Sequence, residues 1–357
     1  MNLEKLVPLI GPTNAAVARY DSLLSVIPNA AVLLSPLTTQ EAVLSSRIEG
    51  THATMSEVME YEAEGVKNFS EEKKADIQEV LNYRKGMLHA MNAMDRLPLS
   101  QRVISQVHEV LMDSVRGHSK SPGIYRKIPN WIGPAGCTLE NARYVPISAD
   151  KLPDGMSDFE KYIHIDSIPD RLIQLAVMHA EFESLHPFLD GNGRLGRMLI
   201  PLFLWEKELI NQPMFYISSF LEANRDEYYD RLLAVSQDGN WTGRCEFFLN
   251  AVKTQAASNE AKARAILELY NRKKMQMVQL THSQYSIMAL GWIFQRPIFK
   301  SSDFIHSVDI PDSTAKRIIV VFRKNNLLKT LEKAAGRRSA VYTFSELLNI
   351  AEGKKAF

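Results

Sequence analysis

The chain contains 357 residues, 45% of them hydrophobic and 23% charged, with a formal net charge of +1, which indicates ordinary globular domains. The longest apolar run, about eight residues, excludes a membrane span of roughly 18 residues. The N-terminus lacks the pattern of a signal peptide, and Cys137 and Cys245 are too few for a disulfide framework. We therefore expect a soluble, cytoplasmic protein.

Charge is distributed unevenly along the chain. Residues 256–357 contain 17 Lys and Arg against 8 Asp and Glu, whereas residues 1–255 contain 25 against 33. A chain of this length usually divides into two or three domains. We predict an N-terminal helical region over 1–95, a central core over 96–255 and a basic C-terminal domain, joined by a linker helix, over 256–357. The excess of positive charge in this C-terminal domain suits an acidic partner.

The elements predicted for the first two segments are mainly helical. Apolar residues at helical spacing predict a helix that stops at Gly50, a longer helix over 71–94, and further helices beginning near Met156 and Asp170. Between them, the stretch 121–148 is rich in Pro, Gly, Asn and aromatic residues. Two strand-like pieces in it, about 125–132 and 143–147, predict a small β-hairpin.

The last hundred residues follow a different pattern. Residues 303–307 and a stretch beginning near Asp312 or Ser313 read as two helices joined by a turn through 309–311. Two short apolar strands around a Gly-Arg-Arg turn come next. A helix-turn-helix followed by a basic hairpin is typical of a winged helix-turn-helix domain.

The window HPFLDGNGRLGR, residues 186–197, concentrates residues suited to phosphate chemistry. It predicts a tight loop that leads into the N-terminus of a helix beginning near Arg194. Backbone N–H groups of Gly191, Asn192 and Gly193 can point into one concavity, where the glycines let a phosphate approach closely. The loop is therefore a candidate anion-binding site.

Three side-chain types complete the chemistry of this window. Asp190 supplies a carboxylate of the kind that binds Mg²⁺ together with phosphate oxygens. Arg194 and Arg197 lie three residues apart on the new helix and can hold further phosphates. His186 can accept a proton near neutral pH. Together they predict nucleotidyl or phosphoryl transfer to a hydroxyl group.

The same window resembles the HPFx(D/E)GNGRxxR signature of Fic-family protein adenylyltransferases and matches it at every fixed position. The resemblance extends over about 99–249. It implies that His186 deprotonates a Ser, Thr or Tyr hydroxyl of a target protein, which attacks the α-phosphorus of ATP. The positions that match the family's metal and phosphate residues are Asp190 for Mg²⁺, and Gly191, Asn192, Gly193, Arg194, Leu195, Gly196 and Arg197 for the nucleotide. A related phosphorylating branch carries a bulkier residue in place of Gly193, so the glycine favours AMP transfer.

Two further stretches resemble parts of the family's nucleotide site. GIYRKIPNWIGPAG resembles a flap that covers the nucleotide and holds a target segment by strand addition. NRDEYYDRLLAVS resembles the segment that lines the adenine side, although a serine stands where some relatives have Asn. The resemblance assigns Ile132, Gly133, Pro134 and Ala135 to the flap, and Asn224, Tyr228, Tyr229 and Ser236 to the adenine side.

The sequence SSRIEG, residues 45–50, resembles the family's inhibitory motif (S/T)xxxE(G/N), with Ser45, Glu49 and Gly50 at the matching positions. The resemblance implies that Glu49 pairs with Arg197 and prevents ATP from placing its γ-phosphate productively. Ser45 and Glu49 are four residues apart, on one face of the predicted helix. The resemblance therefore implies a self-inhibited chain, and removal of AMP with the same glutamate stays open as an alternative.

A second hypothesis belongs to another class of function. The basic C-terminal domain places Lys316, Arg317, Arg323 and Lys324 on the second helix of the helix-turn-helix, and Arg337 and Arg338 at the turn of the hairpin. This pattern suits a DNA-binding regulator in which the Fic core is a regulatory or AMP-removing module. Winged helices also dock proteins or form dimers. Self-modification and a homodimer remain open as well.

Overall fold

The computed structural model describes residues 1–64, 69–113, 118–133, 136–336 and 338–355. The described chain is mainly helical, as the sequence predicts, with one small sheet. The helices are α1 Leu3–Val26, α2 Ala30–Leu33, α3 Ser35–Ile48, α4 Met55–Glu64, α5 Glu71–Met94, α6 Gln101–Leu111, α7 Leu152–Ile163, α8 Arg171–Leu185, α9 Asn192–Glu206, α10 Ser218–Ala223, α11 Arg225–Asp238, α12 Trp241–Thr281, α13 Ser286–Gln295, α14 Ser301–Ser307, α15 Asp312–Lys324 and α16 Ser345–Glu352. The strands are β1 Ile298–Lys300, β2 Lys329–Glu332 and β3 Val341–Thr343.

The chain forms two compact units, each assembled from separate segments. The first unit comprises 1–21, 44–51 and 78–257, and the second comprises 22–43, 52–77 and 258–357. The sequence suggested three consecutive segments instead, and that division stays a prediction. The SSRIEG stretch and the HPFLDGNGRLGR window therefore belong to the same unit.

The centre of the first unit is the pair α8 and α9, which pack against each other, with α7 and α11 against α8 and α6 against α9. Helix α8 begins after Asp170, whose Oδ1 accepts hydrogen bonds from the N–H groups of Leu172 and Ile173 at 2.9 and 3.0 Å. Helix α9 is buried along almost its whole length. The short connection between these two helices is the predicted loop, so their packing fixes where its two ends lie.

The prediction of two β-strands within 121–148 is wrong for the described residues of this stretch. Among the described residues of this stretch, the only pairing is one antiparallel bridge between Ile132 and Tyr144. The N–H of Ile132 donates to the carbonyl of Tyr144 at 2.9 Å, and the N–H of Arg143 donates to the carbonyl of Ile132 at 2.8 Å. The next hydrogen-bonded pair of the ladder would be Asn130 with Pro146, and Pro146 lacks the N–H that it needs, so the pairing does not extend in this direction. We call residues 121–148 the flap segment.

In the second unit, α14 and α15 lie where the sequence predicts a helix-turn-helix. The three strands form an antiparallel sheet in the order β1-β3-β2, with Tyr342 opposite both Phe299 and Thr330. Helix α15 buries Ala315, Ile318 and Phe322 on one face. Chain order in this region is thus strand, helix, helix, strand, strand, and the winged-helix assignment stays a prediction.

Across the part of the chain that the structure describes, no helix is both long enough and apolar enough to cross a lipid bilayer. The longest helix, α12, has 41 residues but carries charged side chains throughout.

Candidate active site

The first unit contains a cavity of about 640 Å³ beside the loop between α8 and α9. Its walls come from the end of α3, the flap segment, α8, α9 and α11. The lining residues are Glu49, Ile132, Gly133, Arg143, Tyr144, Glu183, Ser184, His186, Gly193, Arg225, Asp226, Tyr229, Leu232, Leu233 and Ser236. A volume of this size is in the range of small-molecule and cofactor sites.

His186 forms the C-terminal cap of α8 in the left-handed region, with φ 46° and ψ 59°. Such a conformation is uncommon for a residue with a Cβ atom and is concentrated at functional sites. Burial lowers the pKa of the His186 imidazole to about 4, although the Glu49 carboxylate acts in the opposite direction. Among the described residues, its buried Nδ1 has no hydrogen-bond partner. At neutral pH the ring is therefore unprotonated and able to accept a proton.

The loop after His186 is closed by the side chain of Asn192. Its Oδ1 accepts from the N–H of Phe188, and its Nδ2 donates to the carbonyl of Phe188, both at 2.8 Å. Gly191 has φ 76°, a conformation that glycine adopts without penalty. A Cβ at Gly191 would also lie 2.8 Å from the sulfur of Met112. The asparagine and the first glycine thus shape the loop, leaving the N-terminal amides of α9 available for an anion.

His108, on α6, supports this loop, and the sequence analysis did not identify it. The ring stacks on Phe188, with centroids 3.7 Å apart and planes at 7°. The N–H of Gly123 donates to Nδ1 at 2.9 Å, so Nε2 carries the proton and donates to the carbonyl of Asp190 at 3.0 Å. Burial lowers the pKa of His108 to about 4. The neutral ring therefore holds the Asp190 peptide in one orientation.

Asp190 presents a carboxylate at the mouth of the loop. Its side chain is 47% exposed, and Oδ1 accepts the N–H of Gly191 at 2.6 Å. Among the described residues, no group of three or more His, Cys, Asp or Glu side chains could hold a metal by itself. One accessible carboxylate beside an anion-binding loop fits Mg²⁺, which takes its remaining ligands from phosphate oxygens and water.

Arg194 is 4% exposed and is held by a carboxylate from α5. Its Nη1 lies 3.0 Å from Oε2 of Glu79, which also accepts the hydroxyl of Thr51 at 3.0 Å. Asp190 lies further away, with Oδ1 3.8 Å from Nη2 of Arg194. Glu79 therefore connects Arg194 to the residue that follows Gly50, and no motif in the sequence pointed to it.

Arg197 is 1% exposed and contacts two residues of the SSRIEG stretch. Its Nη2 lies 2.8 Å from Oε1 of Glu49 and donates to the carbonyl of Ser45 at 2.8 Å, and its Nε donates to the Ser45 hydroxyl at 3.0 Å. Burial alone would raise the pKa of Glu49, but the Arg197 guanidinium lowers it below its usual value. Burial alone would likewise lower the pKa of Arg197, and Glu49 raises it. Both groups are thus charged at neutral pH.

Gly193 lies directly beneath the Glu49 carboxylate. A Cβ at this position would come within 2.9 Å of the Glu49 Cδ, closer still to Oε1, and within 3.0 Å of Nη1 of Arg197. Glu49 therefore occupies the space above Gly193 in the first turn of α9. Glu49 itself is about one-third exposed toward the cavity.

The remaining residues singled out in the sequence fall into three groups. Ile132, Gly133, Tyr229 and Ser236 line the cavity together with His186, Gly193 and Glu49. A second group does not line the cavity. Tyr228 is fully buried, with its hydroxyl 3.4 Å from Glu183, and Leu195 and Gly196 are buried within α9. Asn224 donates a hydrogen bond from its side chain to the carbonyl of Phe220. Pro134, Ala135 and Arg337 lie outside the described residues.

Glu183 is a cavity residue that the sequence analysis did not assign to the site. Burial raises its pKa to about 7, with Arg197 acting in the opposite direction. A Cβ at Gly196 would collide with its carboxylate, so this glycine makes room for Glu183 one turn before His186. Arg225 was also missed: its guanidinium lies 5.8 Å from the ring centroid of Tyr229. Spacing along the chain alone gave no signal for either residue.

Comparisons with known proteins agree on one family. The profile described as Fic/DOC family N-terminal matches residues 7–92, and the profile described as Fic/DOC family matches residues 98–204, so together they cover more than half of the chain. A probable protein adenylyltransferase of Aquifex aeolicus is 23% identical in an alignment of 213 residues that covers 57% of this chain and 59% of that protein.

Two solved structures share the fold at low sequence identity. A Fic family protein from Desulfovibrio desulfuricans aligns with TM-score 0.61 and 20% identity over 96% of this chain and 97% of that one. A Fic domain containing signaling protein from Bacteroides thetaiotaomicron aligns with TM-score 0.58 and 20% identity over 72% of this chain and 97% of that one. The likeness therefore extends over both compact units in the first case.

Proposed function

The chain belongs to the Fic/DOC family, and we propose that it transfers AMP from ATP to a Ser, Thr or Tyr hydroxyl of a target protein. The observation that carries this proposal is the position of His186. An unprotonated, buried imidazole lines the same cavity as the N-terminal turn of α9, where Gly193 lies. A proton acceptor beside an anion-binding helix end is the arrangement that transfer of a phosphorus group to a hydroxyl requires.

In the proposed reaction, His186 takes the proton of the target hydroxyl as its oxygen attacks the α-phosphorus of ATP. The bond between the α-phosphorus and the bridging oxygen breaks, pyrophosphate leaves, and AMP stays joined to the target as a phosphodiester. The amides of Asn192 and Gly193 hold the phosphates, since that of Gly191 already donates to Asp190, and Arg194 and Arg197 neutralise charge on them. Asp190 would hold Mg²⁺, which neutralises phosphate charge when bound.

The adenine side of the nucleotide is proposed to lie against α11. Tyr229, Leu232 and Leu233 give this wall apolar surface, and Ser236 adds a hydroxyl. Tyr228 is fully buried behind it and packs against Tyr229, with ring centroids 5.1 Å apart. Tyr228 therefore supports the wall, whereas Tyr229 is the tyrosine that can contact the base.

We propose that the structure is a self-inhibited state in which Glu49 is the inhibitory group. Its carboxylate pairs with Arg197 and lies over Gly193, so it occupies one arginine and part of the space proposed for phosphates. Productive binding of ATP requires this pair to break. A charge-assisted interaction of roughly 1.5–3 kcal/mol would weaken productive binding about ten- to a hundredfold. Removal of AMP from targets by the same site is the alternative that Glu49 leaves open.

The test uses the full chain with ATP labelled at either the α- or the γ-phosphorus. We expect α-label, but not γ-label, to appear on protein in the Glu49→Gly variant, and neither label in the Glu49→Gly, His186→Ala double variant. Equal labelling of both variants would overturn the assignment of His186. Incorporation of γ-label would instead show phosphate transfer.

A second candidate function concerns the second unit. Helix α15 exposes Lys316, Arg317, Arg323 and Lys324, and its opposite face is buried. Charged residues on one face of such a helix suit phosphate contacts with DNA. A fluorescent duplex of mixed sequence should bind with an affinity that falls steeply between low and moderate salt, and a Lys316→Glu, Arg323→Glu variant should lose this binding. Salt-independent or unchanged binding would argue against it.

A further inference from the structure

Arg126, in the flap segment, has an unusual set of contacts. The residue is 3% exposed, and its guanidinium donates to four backbone carbonyls. Its Nε donates to His186 at 3.0 Å, its Nη2 donates to Leu185 at 3.3 Å and also to Ile147, and its Nη1 lies 3.5 Å from the carbonyl of Ile128. Among the described residues, none of the ion pairs includes Arg126. This buried cation is therefore directed at backbone carbonyls.

Two of these carbonyls belong to the end of α8. The last carbonyls of a helix have no partner within the helix and carry the negative end of its dipole, so a guanidinium there is favourable. The backbone N–H of Arg126 also donates to the carbonyl of Pro187 at 2.9 Å. Arg126 thus contacts residues 185, 186 and 187, and these contacts hold the left-handed backbone of His186 from outside the loop.

The other two carbonyls bracket the flap segment where it borders the cavity. Ile128 precedes and Ile147 follows the bridge between Ile132 and Tyr144, and Ile132 and Tyr144 both line the cavity. One guanidinium therefore connects the catalytic histidine to both ends of the polypeptide that forms the opposite wall. A longer ladder of strand pairs, which would otherwise align this wall, is missing from the described residues of the segment.

We infer that Arg126 is a positioning residue for the proposed transfer reaction. Its contacts fix His186 and the flap segment in one relative geometry. This inference rests on the proposed function. Misplacement of a catalytic group by about 1 Å can lower a rate by about a hundredfold even when binding is retained. Loss of Arg126 should therefore affect turnover more than the binding of ATP.

The activity test compares Arg126→Gln and Arg126→Lys in the Glu49→Gly background. We expect kcat to fall roughly ten- to a hundredfold in Arg126→Gln, with less than about a threefold change in KM for ATP, and Arg126→Lys to recover part of the loss because it keeps the charge. Arg171→Gln is the matched control. Arg171 lies at the other end of α8, also donates to a backbone carbonyl, that of Ile165, and pairs with Asp166.

A second measurement does not depend on transfer activity. The charged groups that face the His186 imidazole are Glu49, Arg126 and Asp190, and the Arg126 charge lowers the pKa of His186. In the chain without nucleotide, the histidine NMR signal that His186→Ala removes should shift in Arg126→Gln and titrate at higher pH. Arg171→Gln should leave it unchanged.

Each outcome decides the inference. An unmoved His186 signal, or an Arg126→Gln variant that raises KM at unchanged kcat, would overturn it. Unfolding of both Arg126 variants by circular dichroism would overturn it in favour of a purely structural role. If the Glu49→Gly chain transfers no AMP, the proposed function fails, yet a shifted His186 signal in Arg126→Gln would still support the positioning role.

Discussion

The two sides of the HPFLDGNGRLGR window are held in different ways. On the side of the proposed base, which we call the base side, two side chains donate hydrogen bonds to backbone carbonyls. The cationic Arg126 donates to His186, and the neutral His108 donates to Asp190. On the arginine side, the side chains of Arg194 and Arg197 are bound by carboxylates, Glu79 and Glu49.

This difference separates contacts that we expect to persist when ATP binds from contacts that ATP can replace. Arg126 and His108 are buried and are not among the residues that line the cavity, so we expect ATP to leave the contacts of the base side unchanged. The phosphates of ATP are anions and can replace a carboxylate as the partner of an arginine. We therefore expect loss of a base-side residue to lower turnover, and loss of the Glu49 carboxylate on the arginine side to raise the productive binding of ATP.

The largest effect should come from the base side. We expect His186→Ala to lower AMP transfer by about 10²–10⁴-fold, the usual range for removing a general base, without a comparable loss of ATP affinity. Single-turnover transfer with α-labelled ATP and equilibrium binding of ATP measure the two quantities. A loss of affinity as large as the loss of rate would remove the distinction between the two sides.

On the arginine side, Glu49→Gly should act in the opposite direction. Removing the carboxylate frees Arg197 and clears the space above Gly193, so transfer should rise roughly ten- to a hundredfold. The matched control is Glu57→Gly, which removes a carboxylate that pairs with Lys73 in the second unit. Transfer that stays at the level of the unchanged chain in Glu49→Gly would contradict the proposed inhibition.

A smaller effect should follow from Gly193→Ala, because its Cβ would press against Glu49. The same Cβ would stand where the glycine lets a phosphate approach, so we expect transfer in the Glu49→Gly background to fall several-fold, roughly 1 kcal/mol of lost stabilisation. With Glu49 present, the weakened pair of Glu49 with Arg197 offsets part of this loss, so the fall should be smaller. A fall of equal size in both backgrounds would mean that Gly193 acts independently of Glu49.

The smallest effect concerns pH. The pKa of His186 is lowered to about 4, so the imidazole stays unprotonated from pH 8 down to about 5, and it gains a proton only as pH falls further. The protonation of His186 should therefore leave transfer at saturating ATP unchanged between pH 6 and 8, and an inflection near pH 7 would belong to Glu183, whose pKa is raised to about 7. Because Glu49 raises the pKa of His186, the acid limb in Glu49→Gly should lie at lower pH still. An acid limb near the ordinary histidine value of about 6.5 would show that His186 is solvated during turnover.

The sequence by itself determined the chemistry of the window and its helical setting. His186, the Gly191 to Gly193 loop and Arg197 are close in the chain, and a loop between two helices keeps such residues together in space. Local rules sufficed for the start of α8 near Asp170 and for α14 and α15, whereas α13 and α16 were not predicted. They failed for the hairpin, because proline in strand-like stretches removes the donors that the apolar pattern appeared to offer.

Only the tertiary structure decided which distant residues support the site. Glu79, His108 and Arg126 contact the window from 60 to 115 positions away in the chain. Each has an ordinary neighbourhood in sequence, and its role appears only where a buried polar group of the loop needs a partner. The interleaved segments of the two compact units are likewise a result of packing between helices that are far apart in the chain. Hydrogen bonds between residues that are close in the chain follow recognisable sequence patterns. Hydrogen bonds between residues that are far apart in the chain do not.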